Sequence, residues 1–161
     1  MKKKLSHIKV FLFTAIVSFL LDLISKGIIS SKMGLHESIP IIDNIFRLTY
    51  IKNEGIAFGL LQGIPHILLF ISIAVLAIII YLTKRISTKS IPVQIAFGLI
   101  IGGALGNIVD RIRFSSVRDF LDIGINHNLR WPIFNIADSA VFIGVILILI
   151  FYKENSKTED I

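Results

Sequence analysis

Two aspartates, Asp119 and Asp138, stand on either side of a short connection and are the residues of this sequence best suited to catalysis. Two carboxylates that are brought together cannot both ionise cheaply, so they share a proton and one pKa rises. Such a pair supplies a base that activates water and an acid that polarises a carbonyl group. A structural alternative stays open for Asp138, since the dipole and free N–H groups of a helix N-terminus also hold a carboxylate.

Further polar residues lie within or beside apolar segments, where ionisable side chains are costly and are therefore candidates for function. Asp22 and Lys26 are four residues apart, so they share one helix face and form either a structural ion pair or a substrate-facing pair. Asn107 and Arg111 share a face in the same way, with Asp110 beside them. This second cluster serves either helix capping and interface contacts or a functional site.

Other chemistries find little support in the sequence. The chain contains no Cys, which excludes disulfides, Cys-ligated zinc, iron–sulfur clusters and a thiol nucleophile. It also contains no HExxH motif, no Walker A loop and no Gly-x-Ser-x-Gly turn, and we expect none of its four His residues to be catalytic. A Mg²⁺ site built from Asp110, Asp119, Asp122 and Asp138 is conceivable, but their spacing matches no metal-binding pattern. We therefore predict no cofactor and no metal.

The composition is that of a membrane protein. Hydrophobic residues make up 54% of the 161 residues and charged residues 17%, and a chain this short cannot hide so much apolar surface from water. We predict a single all-α membrane domain over residues 1–161 with four transmembrane helices, because four apolar segments have the length of about 20 residues that a spanning helix needs. The spacing of Gly98, Gly102 and Gly106 predicts close packing of one of these helices against another. The segments cover about residues 8–29, 64–83, 91–111 and 132–152.

The distribution of Lys residues predicts the orientation in the membrane. Four Lys precede or begin the first segment and only Lys32 follows it closely, so we expect both termini in the cytoplasm and residues 30–63 and 112–131 outside it. The N-terminal segment is too long for a signal peptide and no small-residue cleavage site follows it, so we interpret it as an uncleaved span. The net charge of +6 is typical of loops beside anionic lipid. Nucleic-acid binding is disfavoured because Lys and Arg are scattered between apolar runs.

The first outside stretch contains one predicted strand. Residues 46–51 alternate apolar and polar side chains, which is typical of a short half-buried strand. Residues 53–55 then predict a turn. The second outside stretch has mixed character and predicts no regular element.

Five short stretches of the chain form an ordered set of motifs. They are DLISK at 22–26, NEGIAFG at 53–59, GGALGNIVDR at 102–111, VRDF at 117–120 and FNIADS at 134–139. Each stretch alone is a weak signal, but all five in this order, in a four-span chain of this length, are specific. Together they resemble the lipoprotein signal peptidase (signal peptidase II) family of bacterial membrane proteases.

The resemblance implies a four-helix membrane fold with a small extracytoplasmic β-cradle after the first span. It also implies an aspartic endopeptidase in the bacterial cytoplasmic (inner) membrane, acting as a monomer and without a cofactor. Its substrate would be a prolipoprotein, cut just before a Cys that carries a diacylglyceryl group. Membrane lipid would be its other partner.

The resemblance further assigns roles residue by residue. Asp119 and Asp138 would be the catalytic pair, while Gly102, Gly106 and Asp110 are expected to be structural. One departure from the family is Arg118, where Val is more frequent, and it adds a positive charge beside Asp119. The substrate-contacting residues would be Asp22, Lys26, Asn53, Asn107, Arg111 and Asn135.

A different class of function stays open as the alternative, a small four-span transporter that uses intramembrane carboxylates. Its ion or proton path would run along Asp22, Lys26, Asp110 and Asp138. A transporter is expected to hold its ionisable groups near the bilayer midplane, whereas here they lie toward one side of the membrane. A non-catalytic membrane scaffold is a third class, which no residue specifically supports.

Overall fold

The computed structural model describes residues 2–55, 63–85 and 90–156. In these ranges the strands all lie between the first and last helices in the sequence. The stretch between the second and third predicted segments, 84–90, and the second motif at 53–59 lie partly outside the described residues. The elements in chain order are α1 (Lys2–Lys32), β1 (Ser38–Ile42), β2 (Phe46–Asn53), α2 (Pro65–Arg85), α3 (Ile91–Phe114), β3 (Val117–Ile123) and α4 (Ile136–Ser156).

Three of the four predicted spans are helices long and apolar enough to cross a membrane, namely Ile8–Lys32, Pro65–Thr83 and Ile91–Phe114. The fourth prediction is met only in part, because the apolar part of α4, Ile136–Phe151, is shorter than the usual spanning length. Helix α4 begins at Ile136, four residues after the predicted start of this segment at about residue 132. The backbone of Phe134 pairs with Leu121 of β3, with N···O distances of 2.7 and 3.1 Å, so the chain becomes helical only after it leaves the sheet.

Helix α3 packs between α1 and α4, and glycines make both contacts close. A Cβ atom added to Gly102 would overlap the backbone oxygen of Ala15 in α1, and one added to Gly106 would overlap the Asp22 carboxylate. On its other side, Gly103 lies against the backbone of α4. Small residues let helix backbones approach closely in a membrane. The glycines therefore bring the polar residues of three helices within hydrogen-bonding distance.

The strands form one antiparallel sheet in the order β1–β2–β3. Strand β2 contains the predicted strand at 46–51, which is confirmed, whereas β1 and β3 have no counterpart among the predicted elements. Tyr50 and Phe120 of the sheet pack in one buried cluster with Ile29 and Met33 near the end of α1. This cluster fixes the sheet on α1 and holds β3 beside the end of α3. The fold is mostly helical with a small sheet, consistent with the expected cradle.

Candidate active site

Asp119 lies in β3, where the pairing of β2 with β3 places it near the end of β2. Its partner across the ladder is Ile51, and Asn53 follows two residues later. The Asp119 carboxylate is 2% exposed and accepts two hydrogen bonds, from Asn53 Nδ2 at 2.9 Å and from Asn135 Nδ2 at 2.6 Å. Each oxygen of this buried carboxylate is therefore held by an amide from a different part of the chain.

Asp138 lies in the first turn of α4 and forms a reciprocal cap with Asn135, the residue before the helix. Asn135 Oδ1 accepts a hydrogen bond from the Asp138 backbone N–H at 2.9 Å, and Asp138 Oδ2 accepts one from the Asn135 backbone N–H at 3.2 Å. This is the arrangement of a capping box, which satisfies two N–H groups at a helix start. Capping thus occupies one Asp138 oxygen. The other, Oδ1, accepts a hydrogen bond from Asn107 Nδ2 at 2.8 Å.

The amides of Asn107 and Asn135 join the two carboxylates. Asn107 Oδ1 accepts hydrogen bonds from Lys26 Nζ at 2.9 Å and from Asn135 Nδ2 at 3.1 Å. An ammonium group can only donate, so the oxygen of Asn107 must face Lys26 and its NH₂ group must face Asp138. Asn135 in turn points its NH₂ group at both Asn107 and Asp119. Lys26 therefore helps to fix the direction of these hydrogen bonds, so that an amide N–H faces each carboxylate.

A buried ion network lies behind these two amides. Lys26 Nζ is 2.7 Å from Asp22 and 3.4 Å from Asp110, and all three side chains are fully buried. The predicted pairing of Asp22 with Lys26 is thus confirmed. The other Asp22 oxygen accepts the backbone N–H of Ala137 at 2.9 Å. The network consequently ties α1 to α3 and to the first turn of α4.

Arg118 directs its charge away from Asp119. Its guanidinium donates hydrogen bonds to Asp110 at 2.7 and 3.2 Å and lies 4.7 Å from the ring centre of Phe114. Successive side chains of a strand point to opposite faces of the sheet, so Arg118 and Asp119 face different sides. The extra charge that the sequence places next to Asp119 therefore pairs with Asp110 instead.

The surroundings of Asp119 favour its protonated form. Burial, followed by the negative charge of Asp138, raises the pKa of Asp119 from 3.8 to about 7. The N–H groups of Asn53 and Asn135 act in the opposite direction but do not outweigh these two effects. Part of the rise thus comes from the second carboxylate, and Asp119 holds a proton over much of the range below neutral pH.

Both carboxylates line one cavity of about 880 Å³, together with Asn53, Asn107 and Arg111. The positive charge of Arg111 faces Asp138 and Asp119. No side chain or carbonyl in the described part of the chain accepts a hydrogen bond from the Arg111 guanidinium, so its donors are available to a ligand. The cavity thus combines a carboxylate pair with a free cation.

Much of the remaining cavity wall is apolar, and sequence reasoning did not single out its residues. Trp131, Pro132 and Ile133 form one part of this wall, and Phe142 and Ile143 of α4 form another. Phe142 and Ile143 are exposed on the outer surface of the helix. An apolar side chain that faces a cavity has the same sequence signature as one that faces lipid, so no signal in the sequence could have distinguished them.

The acidic residues do not gather into a single cluster. Asp110 is occupied by its two cationic partners, and Asp122 is bound by Arg130 Nε at 2.6 Å. Within residues 2–55, 63–85 and 90–156, no group of three or more His, Cys, Asp or Glu residues could hold a metal ion. The conceivable Mg²⁺ site, which would also need Asp119 and Asp138, is therefore not assembled in that part of the chain.

The profile of a family described as signal peptidase (SPase) II matches the chain over residues 14–153. The chain belongs to the signal peptidase II family. It is 43% identical over 146 residues to a lipoprotein signal peptidase of Halothermothrix orenii, across 90% of this chain and 96% of that relative. It is 45% identical over 157 residues to a lipoprotein signal peptidase of Syntrophus aciditrophicus, across 93% and 96% of the two chains. A solved structure described as a bacterial membrane enzyme, by the in meso method at 2.3 Å resolution, matches with a TM-score of 0.84 at 33% identity, over 94% of this chain and 92% of that one.

Membership of the signal peptidase II family implies a membrane protease that acts on lipoprotein signal peptides. Among the residues expected to contact substrate, Asn53, Asn107 and Arg111 line the cavity, and Asn135 binds Asp119 beside it. Asp22 and Lys26 are not brought into the cavity. Both are fully buried, and they contact the carboxylate pair only through Asn107 and the start of α4.

Proposed function

We propose that the chain is an aspartic endopeptidase of the bacterial cytoplasmic membrane. It removes the signal peptide from prolipoproteins by cutting just before a diacylglyceryl-modified Cys. The observation that carries this proposal is the placement of Asp119 and Asp138 on one cavity, joined through the amides of Asn107 and Asn135. Family membership supports the substrate class.

The reaction follows from a carboxylate pair that holds one proton. The ionised carboxylate takes a proton from water, and the resulting hydroxide attacks the scissile carbonyl carbon. The protonated carboxyl donates a hydrogen bond to the carbonyl oxygen and stabilises the charge that develops there. The tetrahedral diol collapses as the C–N bond breaks and the leaving amine takes up a proton. Asp119 and Asp138 thus serve as base and acid within one unit.

Lys26 and Asp22 are positioning residues in this proposal rather than substrate contacts. Lys26 donates to Asn107 Oδ1, which forces the Asn107 amide to donate to Asp138. Asp22 holds Lys26 at 2.7 Å and anchors the backbone of Ala137, next to Asp138, at 2.9 Å. Catalysis depends on reacting groups that are held within a fraction of an ångström. The ion pair therefore acts on the rate through the orientation of the carboxylates.

The cavity wall suits a substrate that is part peptide and part lipid. Arg111 has five N–H donors in a rigid fork, and it lies beside the carboxylates, where the peptide carbonyls would pass. The apolar wall at Trp131, Phe142 and Ile143 suits acyl chains, since each buried CH₂ contributes about 0.8 kcal/mol. A lipid-modified Cys would thereby place the adjacent peptide bond at the carboxylate pair.

The proposed orientation has both termini in the cytoplasm and the carboxylate pair near the opposite face. The Lys-rich N-terminal flank supports this orientation. Asp119 lies in β3, shortly after the end of α3, and Asp138 lies in the first turn of α4, so both are on the side of the helices that adjoins the sheet. A peptide bond of a translocated precursor would therefore meet the pair where water is also accessible.

The proposed function can be tested with the full-length protein and a synthetic precursor peptide, prepared with and without the diacylglyceryl group on Cys. The lipidated peptide should be cleaved just before Cys, as read by mass spectrometry, and the unmodified peptide should be cleaved far more slowly. Asp119→Asn and Asp138→Asn should each abolish cleavage, and the double variant should be little worse because the two residues act as one unit. Asp43→Asn, at an exposed turn outside the cavity, is the matched control.

Three results would contradict this proposal. Strong residual cleavage in either single variant would remove that aspartate from the chemistry. Equal cleavage of the lipidated and unmodified peptides would exclude recognition of the diacylglyceryl group. Loss of cleavage in a chelator that Mg²⁺ restores would indicate a metal-dependent reaction.

A further inference from the structure

An apolar surface lies at the far end of the sheet, where the chain leaves β3 and turns back toward α4, and it extends the apolar wall of the active-site cavity beyond Trp131 and Ile123. Its four side chains are largely exposed, with Ile125 at 76%, Trp131 at 67%, Leu129 at 59% and Ile123 at 42%. Backbone hydrogen bonds from Ile125 to Leu129 at 3.0 Å and from Trp131 to Ile123 at 2.8 Å hold them on a short ladder. They line a second, smaller cavity of about 330 Å³. We call these four residues the Trp131 surface.

The length of α4 places this surface at the level of the hydrocarbon. The apolar part of α4, Ile136–Phe151, spans roughly 24 Å at 1.5 Å per residue, whereas the hydrocarbon core of a bilayer is about 30 Å thick. At the C-terminal end, the sequence continues with Tyr152 and Lys153, which are typical of the membrane–water interface. The missing apolar length of roughly 6 Å therefore falls at the other end, where Trp131 precedes the helix by five residues.

The Trp131 surface is also continuous with the lipid-facing side of α4. Trp131 and Ile123 line both the smaller cavity and the larger one, and the larger cavity extends to Phe142 and Ile143 of α4. Phe142 is 67% exposed on α4, whose segment Ile136–Phe151 is apolar throughout most of its length. The apolar side chains thus form one uninterrupted surface from the helix to the tip of the sheet.

The charge at this surface is neutralised. Arg130, the one charged residue among the described residues that line the smaller cavity, binds Asp122 Oδ1 at 2.6 Å and the Asp122 carbonyl at 3.0 Å. Its Nη1 atom also donates to the Asn44 carbonyl at 3.2 Å. The free-energy cost of bringing a guanidinium close to lipid is much lower when its charge is paired and its N–H groups are hydrogen-bonded than when it is free.

We propose that the Trp131 surface is buried in the glycerol and upper acyl-chain region of the leaflet beside the sheet. The sheet then lies along the membrane instead of standing away from it in water. Its contact with lipid fixes the apolar mouth of the larger cavity at the depth of the acyl chains. An exposed apolar surface of this kind is expected to be covered in a stable protein, and the bilayer is the apolar phase that α4 already occupies.

The only Trp of the chain is Trp131, so the unmodified protein reports on its own surface. The full-length protein would be placed in vesicles of phosphatidylcholine and phosphatidylglycerol, with and without bromine on the upper acyl chains, which quenches Trp by contact. A Trp131 buried in the upper leaflet should lose about half or more of its emission in brominated lipid and resist quenching by aqueous iodide.

Position 125 gives the decisive test. Trp131 lies so close to a span that it would be near the membrane interface in many orientations of the sheet, whereas position 125 would not. Ile125→Trp in a Trp131→Phe background places the single Trp at the far end of the surface, where the same quenching pattern supports the proposal. Quenching by iodide without quenching by bromine would show that the sheet stands in water. Protection from both would show that protein, such as a second copy, covers the surface. Either of these two results overturns the proposal.

A matched pair of charge substitutions provides a second measurement with Trp131 as the reporter. Ile125→Asp and Asn128→Asp add the same charge to two exposed positions of one loop, three residues apart. Ile125→Asp should shift the Trp131 emission to longer wavelength and expose it to iodide, because a carboxylate is expelled from the acyl region. Asn128→Asp, in the polar turn, should change neither. Equal responses of the two variants would overturn the proposal.

Discussion

The substitution Asp119→Asn tests whether this carboxyl group holds a proton near neutral pH. The stability of the protein reports on this proton, as does the activity. Burial and the charge of Asp138 raise the pKa of Asp119 from 3.8 to about 7 in the folded protein. Between these two pH values the folded state binds the proton and the unfolded state does not. The free energy of unfolding must therefore decrease as the pH rises from about 4 to about 7, and it stays low at higher pH.

The magnitude follows from the pKa values. Each pKa unit corresponds to 1.36 kcal/mol, so the increase from 3.8 to about 7 represents roughly 4 kcal/mol of destabilisation above neutral pH. Asp119→Asn removes this charge. However, the NH₂ group of the new amide must face an N–H donor, that of Asn53 or Asn135, and this loss of a hydrogen bond costs about 1–3 kcal/mol of stability. We expect the variant to be more stable than the parent by about 1–3 kcal/mol at pH 8 and less stable by a similar amount at pH 4.

Thermal unfolding followed by Trp131 emission across pH 4 to 9 measures this crossover. One kcal/mol shifts the Tm of a chain of this size by about 2–4 °C, so the Tm difference between parent and variant should change sign over that range. Asp43→Asn, at an exposed turn, is the control and should show no crossover. Cleavage by the parent should in addition decline above about pH 7, as Asp119 loses its proton. A Tm difference that is independent of pH would refute a raised pKa at Asp119.

Three further predictions concern the groups that support the pair. Lys26→Met should destabilise the protein by about 3 kcal/mol or more, because it leaves the buried Asp22 carboxylate without its cation, and it should lower kcat more than it changes KM in the peptide assay. Gly102→Ala should lower the Tm by the equivalent of about 1–3 kcal/mol, since its Cβ would overlap the α1 backbone, whereas Gly27→Ala, with open space around it, should not. Ser87→Cys in this Cys-free chain should react with an impermeant thiol reagent only from the cytoplasmic side, and labelling from outside would overturn the orientation.

The strands show which parts of the fold the sequence could predict. The alternation at 46–51 predicted a strand, and Leu48 and Tyr50, two residues apart, do pack on the buried cluster at the end of α1. Strand β3 is buried on both faces for most of its length, so it has no alternation to detect. Strand β1 contains Pro40 and consecutive exposed Ile41 and Ile42, which obscure any period of two. The late start of α4 was missed for a related reason, because the apolar residues before it pair with β3 although their composition is that of a helix.

The site was predictable where a signal is local and unpredictable where it depends on pairing between elements. Asp22 and Lys26 are four residues apart, and their contact at 2.7 Å follows from helix geometry alone. Asn135 and Asp138 carry the spacing of a capping box, a local pattern that was available in the sequence. In contrast, the partner of Arg118 depends on how β3 follows α3, and no local pattern shows that it binds Asp110.

The buried ion network is better explained by orientation than by stability. It contains two acidic and two basic side chains, Asp22, Asp110, Lys26 and Arg118, so its net charge is zero, yet each ion has lost its hydration. Replacement of such a network by apolar residues of similar volume is often neutral or stabilising. A membrane helix bundle that needed only stability would therefore gain nothing from these four charges. What an apolar replacement cannot supply is an obligate donor at the oxygen of Asn107. Without that donor the oxygen of Asn107 keeps only the N–H of Asn135 at 3.1 Å. The Asn107 amide then turns its oxygen toward Asp138 more readily, and two acceptors would face each other at the point where the reaction requires an N–H.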